Sequence, residues 1–202
     1  MNAAAHAAAA HAGHGADEAA QSFERARMGM WLFLASEIMM FGAFIASYVV
    51  LRMSLPKEVV DYSKGQLNWI IAFVNTGVLI LSSYTMVRAV HAIRNGNRGR
   101  CEDFCVATAA LGLVFLVIKA FEYGGKFSHG IGPDHNLFFS CYFLMTGFHG
   151  LHVLVGVIAL FTVAFFVKHM DAQRYTHVEN LALYWHFVDL VWIFLFPIVY
   201  LL

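Results

Sequence analysis

Residues 137–167 read Leu137-Phe-Phe-Ser-Cys-Tyr-Phe-Leu-Met-Thr-Gly-Phe-His149-Gly-Leu-His152-Val-Leu-Val-Gly-Val-Ile-Ala-Leu-Phe-Thr-Val-Ala-Phe-Phe-Val167, a run without a single Asp, Glu, Lys or Arg. About 20 apolar residues cross the hydrocarbon of a bilayer as a helix, because in lipid every backbone N–H and C=O must be bonded within the segment. This run is too short for two spans and a turn, so it predicts one helix that tilts or extends beyond the bilayer. Two histidines lie in its middle.

Four more segments meet the same test: residues 28–53, 67–91, 105–123 and 178–202, the third being the shortest. The sequence therefore predicts an all-α fold, a polytopic membrane bundle of five transmembrane helices over residues 28–202. The preceding residues 1–27 read as a flexible Ala/His-rich tail. Ser63-Lys-Gly-Gln66 and Thr176-His-Val-Glu179 read as capping boxes where the second and fifth spans should begin. Gly96, Gly99, Gly124, Gly125 and Gly132-Pro133 lie between the predicted spans, where helix breakers belong.

The composition agrees with lipid as the solvent: 60% hydrophobic and 13% charged, against about 25% charged in soluble domains. Net charge is formally zero, which gives no case for nucleic acid. Cys101, Cys105 and Cys141 form no C-x-x-C metal pair and no even disulfide set, and read as small hydrophobes. The N-terminus has no basic n-region and no apolar core before a cleavage site, so it does not read as a signal peptide. His6, His11 and His14 resemble a metal-binding tract, but Ala and Gly bury little apolar surface and favour a loosely structured tail.

Basic residues orient the bundle. Arg25, Arg27, Arg88, Arg94, Arg98, Arg100, Lys168 and Arg174 fall on one side, and only Arg52, Lys57, Lys64 and Lys126 on the other. The N-terminus is predicted cytoplasmic and the C-terminus outside. Arg94, Arg98 and Arg100 are candidate contacts for anionic lipid headgroups. Lys119 and Glu122, near the outer end of the third span, are expected to pair while Lys119 snorkels to the headgroups.

Charged groups in hydrocarbon are costly and usually face the bundle interior. At about 1.5 Å per residue, Glu37 lies roughly 14 Å into the first span, and His186 and Asp189 roughly 12 to 17 Å into the fifth. His149 and His152 flank the middle of the fourth. Each of the last two pairs is spaced i, i+3 on one side of its helix. These five groups are expected to meet in one layer, with Gly147, Gly150 and Gly156 allowing close helix approach. Such a layer supports hydrogen-bonded helix pairing, a proton or ion role, or metal or haem ligation. No Glu-x-x-His di-iron motif occurs within a span, and no GxSxG, Walker A, HExxH or dinucleotide fingerprint appears. The residues alone supply no catalytic centre.

Three ordered strings carry a resemblance: Met30-Trp-Leu-Phe-Leu-Ala-Ser-Glu37-Ile, Thr146-Gly-Phe-His149-Gly-Leu-His152-Val, and Tyr184-Trp-His186-Phe-Val-Asp189-Leu-Val-Trp192. They resemble the signature stretches of subunit III of haem-copper cytochrome c and quinol oxidases, and Phe121-Glu122-Tyr resembles that family's Phe-Glu segment. The resemblance covers roughly residues 25–202. It implies an accessory subunit of a proton-pumping terminal oxidase in a bacterial inner membrane, packed against subunit I with subunit II nearby. It also implies no haem or copper in this chain, both being expected in partner subunits, together with bound phospholipid and support of proton uptake. Glu37 then matches the family's buried carboxylate, and His149, His152, His186 and Asp189 its helix-embedded polar groups. Longer family members have two additional helices before the Ser-Glu helix. The His-rich start and the five-helix length resemble the quinol oxidase branch, whereas Ser36-Glu37 and the Tyr184-to-Asp189 string resemble the cytochrome c branch, which is the favoured donor. The competing readings are an accessory protein of nitric oxide reduction, or an independent haem or proton-conducting membrane protein.

Overall fold

A computed structural model describes the backbone of residues 3–167 and 175–201, and the side chains of residues 21, 24–167 and 176–201. The metal-tract expectation for His6, His11 and His14, and those for Lys168 and Arg174, fall on side chains outside that set, whereas the backbone of residues 3–27, expected as a flexible tail, is helical and continuous with the first span. The elements are α1 (Ala3–Ser54), α2 (Lys57–Gly65), α3 (Trp69–Arg94), α4 (Arg98–Ser128), α5 (Leu137–Phe166) and α6 (Tyr175–Phe196), which ends in a π-helical turn, Pro197–Leu201. Five of these are long and apolar enough to cross a membrane, the spanning part of α1 being Glu24–Ser54. The chain is an integral membrane helix bundle.

α6 is the most buried span and packs against α1, α3 and α5, while α1 is the least buried and makes its main contacts with α5 and α6. The outer face of α1 presents Leu32, Ile38, Met39, Val50 and Met53, a surface suited to lipid or to another apolar subunit.

The deepest contact is made by Trp185 of α6. A Cβ on Gly112 of α4 would lie 2.7 Å from its ring, and one on Gly156 of α5 would lie 2.8 Å from it. The indole N–H donates to Ser82 Oγ of α3 at 3.1 Å. One side chain thus fixes three neighbouring helices, and small residues are what let it in. Of the three glycines expected to serve close approach, only Gly156 does so. A Cβ on Gly147 or Gly150 would meet nothing closer than 3.9 Å, because both positions turn away from the Trp185 notch.

The helix ends correct the sequence reading at several places. Neither predicted capping box forms. Ser63 is buried within the short helix α2 and accepts from Asn136 Nδ2 at 3.1 Å, whereas Asn68 caps α3 by accepting from the N–H groups of Ile70 and Ile71. At the start of α6, Thr176 is already helical, and Glu179 turns across to Arg94 at 2.9 Å. The third span is not short: Asn97 caps α4, and the helix runs through Gly124 and Gly125 to Ser128. The glycine pair stays helical, with Lys126 just beyond it tied back to Glu122.

Candidate functional site

Glu37 of α1 and His152 of α5 meet across the groove between α1, α5 and α6, with His152 Nε2 3.0 Å from Glu37 Oε2. The Phe148 carbonyl, which can only accept, lies 2.8 Å from His152 Nδ1, so Nδ1 carries a proton. A second proton must then lie between Nε2 and the carboxyl oxygen. Whether it sits on the ring or on the carboxyl, the pair is net neutral. The Tyr184 hydroxyl donates to the His152 carbonyl at 2.9 Å, and the Phe41 ring stands edge-on to the imidazole at 5.3 Å. Sequence strings on α1, α5 and α6 therefore meet at one place.

The pair lines a cavity of about 600 Å³, walled otherwise by apolar groups such as Met30, Phe33, Leu151 and Val155, with His177 and Asn180 towards the end where α6 begins. Neutrality is what such surroundings favour, since an uncompensated charge there is costly.

The other predicted groups do not join this pair, and the single layer of five divides. His186 meets Ser83 Oγ of α3 at 2.7 Å and lines a separate cavity of about 380 Å³ with His91, Arg94 and Glu179. His149 is fully buried, stacked on Trp192 at 5.0 Å and edge-on to Phe115 at 5.6 Å. Neither of its ring nitrogens has a hydrogen-bond partner among the described residues, and the carboxyl of buried Asp189 faces Ser83 of α3, the same hydroxyl that meets His186. The i, i+3 spacing explains the divergence. Three residues turn a helix by 300°, which leaves the two side chains about 60° apart, enough for His152 to face α1 while His149 faces α4 and α6. Two histidines so aimed do not converge on one iron. Among the described residues no three His, Cys, Asp or Glu side chains gather as a metal site.

Of the basic residues on the α3–α4 side, Arg94 is engaged by Glu179, Arg98 is half-buried, and Arg100 is exposed in the first turns of α4.

The charges near the outer end of α4 form a larger cluster than their spacing indicates. Lys119 does pair with Glu122, at 2.9 Å, but it does not snorkel: it is buried and turned inward. Its ammonium donates to the Tyr200 hydroxyl at 2.6 Å and lies 4.9 Å from the Trp192 ring. Glu122 also takes Lys126 at 3.2 Å and accepts from the hydroxyls of Tyr142 and Tyr200, each at 2.9 Å. The signal available was Lys119, Glu122 and Lys126 at i, i+3 and i+7, one face of a helix. The tyrosines that complete it come from α5 and from the π-helical turn, beyond the reach of local spacing.

Comparison with known proteins bears on all of this. The model of the family described as "Cytochrome c oxidase subunit III" matches residues 7–202. The chain is 35% identical to "Cytochrome c oxidase subunit 3" of Thermostichus vulcanus, covering 87% of this chain and 86% of that one. It is 31% identical to "Cytochrome bo(3) ubiquinol oxidase subunit 3" of Pseudomonas aeruginosa, covering 98% and 95%. It is 29% identical to "Probable quinol oxidase subunit 3" of Staphylococcus epidermidis, covering 87% and 88%.

Proposed function

The chain belongs to the cytochrome c oxidase subunit III family, and from that premise we propose that it is the non-catalytic subunit III of a cytochrome c oxidase, reducing oxygen to water and pumping protons only through its partners. Subunit I is the main contact, with subunit II nearby, and the haem and copper reside in those chains. In this reading the membrane is a bacterial plasma membrane, with the start of α1 on the cytoplasmic face and Tyr200 at the outer one.

The observation that carries the proposal is the Glu37–His152 pair. A net-neutral link between α1 and α5 inside an apolar groove holds the outermost helix against the rest of the bundle. It serves integrity and sustained turnover rather than electron transfer. The groove suits a phospholipid, with chains against Phe33, Leu151 and Val155 and a headgroup towards His177 and Asn180.

The quinol oxidase reading is favoured by a different observation: the likeness to the ubiquinol oxidase subunit runs over nearly the whole of both chains. The residues that favour cytochrome c are Ser36, Glu37 and the Tyr184-to-Asp189 string. Purification of the intact complex, with oxygen uptake measured on reduced cytochrome c and on quinol, separates the two. A haem spectrum from this chain alone, or the absence of a haem-copper subunit from the purified complex, would overturn both.

A further inference from the structure

The turn between α3 and α4 is only three residues long. Asn95 and Asn97 flank Gly96, whose φ of +73° a side chain would strain. This tight turn brings the last turns of α3 beside the first turns of α4, and between them lies a cavity of about 220 Å³ lined by Arg88, His91, Asn95, Asn97, Arg100 and Phe104. No carboxylate lines it. Arg88 lies 5.4 Å above the Phe104 ring and spends one N–H on the Tyr84 hydroxyl at 3.1 Å, leaving the other donors of its guanidinium. Neither Arg88 nor Arg100 forms an ion pair among the described residues, in contrast to Arg94 and its Glu179. The cavity lies between the negative end of α3 and the positive end of α4, so the helix dipoles offset there and the two guanidinia supply the net charge.

We propose that this cavity binds the phosphate of an anionic phospholipid of the leaflet facing the start of α1, held by the Arg88 and Arg100 guanidinia. Two planar guanidinia match phosphate oxygens in geometry and in charge. The volume is small beside the roughly 300–1,000 Å³ of ordinary ligand pockets, which suits a phosphate and leaves acyl chains outside. Their path is present: Tyr84 and Leu81, one and two turns deeper on the Arg88 side of α3, are exposed and apolar-faced. A free phosphate would use the guanidinia and not that flank. The inference thus moves the expected headgroup contact from Arg94 to Arg88, keeps Arg100, and rests on the subunit III reading only for the membrane position of the turn.

The test uses the intact, delipidated oxidase complex in detergent, with bound lipid read by native mass spectrometry. Phosphatidylglycerol is expected to bind at least tenfold more tightly than phosphatidylcholine. The double variant R88Q/R100Q is expected to weaken phosphatidylglycerol by about thirtyfold, following the usual worth of two basic residues at a charged membrane surface. Lys57→Gln, at the far end of the bundle, should change nothing. Should the glutamine pair fail to assemble, R88K/R100K keeps the charge but loses the bidentate fork, and a several-fold weakening is expected there. Unchanged binding in the variant measured, equal binding of the two lipids, or full displacement by millimolar inorganic phosphate overturns the proposal. Each of these is read as lipid occupancy and is independent of which electron donor the complex uses, so it is distinguishable from the donor and haem tests of the subunit III reading.

Discussion

The imidazole of His152 and the carboxyl of Glu37, 115 positions apart in sequence, are joined by a hydrogen bond of 3.0 Å, and that contact ties the least buried helix to the bundle. Glu37→Ala and His152→Ala should each lower the temperature at which the subunit dissociates from the complex. In a double-mutant cycle they should show a coupling of about 1.5–3 kcal/mol, as expected of a hydrogen bond to an ionisable partner. Strictly additive losses would show that the pair does not hold α1. Because Glu37 lines the apolar cavity, a hydrophobic carbodiimide should label it, with the label absent in Glu37→Gln and the initial oxygen uptake of that variant retained.

The Trp185 notch predicts a steric effect. Gly112→Ala places a methyl 2.7 Å from both Trp185 and Val157, so α4 must separate from α5 and α6. A cost of about 1–3 kcal/mol, typical of overpacking, should appear in thermal dissociation of the complex. Gly147→Ala, whose methyl would rest in ordinary van der Waals contact 3.9 Å from the Tyr123 hydroxyl, should be nearly neutral. Equal effects at the two positions would remove the notch from the account.

Glu122 is the counter-charge of two buried lysines. Glu122→Gln leaves both ammonium groups without it and should destabilise by about 3–5 kcal/mol. Lys119→Met leaves Glu122 paired with Lys126 and should cost less. Guanidinium-free thermal melts of the purified subunit complexes order the two; a reversed order would mean that the net charge of the cluster is not what the carboxylate balances.

Tyr200→Phe removes a 2.6 Å acceptor from Lys119 and a 2.9 Å donor from Glu122, a loss of about 1–3 kcal/mol. The same substitution made on top of Glu122→Gln should cost measurably less, since both act in one network. Full additivity in the same melting assay would contradict that network.

The spans were legible because lipid imposes hydrophobic length, a property that local sequence displays without ambiguity. Their ends were less so. Ser63 and Thr176 satisfied a capping pattern that tertiary partners overrode, Asn136 at Ser63 and Arg94 at Glu179. Gly124 and Gly125 stayed helical against their propensity, with Lys126 beyond them tied back to Glu122. The polar residues of the site could be named from rarity alone, yet their grouping depended on about 60° of helix rotation that i, i+3 spacing does not resolve into partners. Ser83, the neighbour of His186, gave no signal beyond being a polar group on an apolar helix, and Tyr184 stood out only as the start of the third string, not as the donor to the His152 carbonyl.

The order of synthesis gives the Lys119 cluster a further meaning. Glu122 neutralises Lys119 and Lys126 from within α4 itself, so the helix can enter the bilayer with its charges already partnered. Tyr142 follows 20 residues after Glu122, and Tyr200 only 78 after it. The cluster is therefore complete only once the turn that ends α6 has packed: Glu122 and its two lysines need nothing beyond α4, whereas the Tyr200 hydroxyl, which touches both Lys119 and Glu122, comes last along the chain.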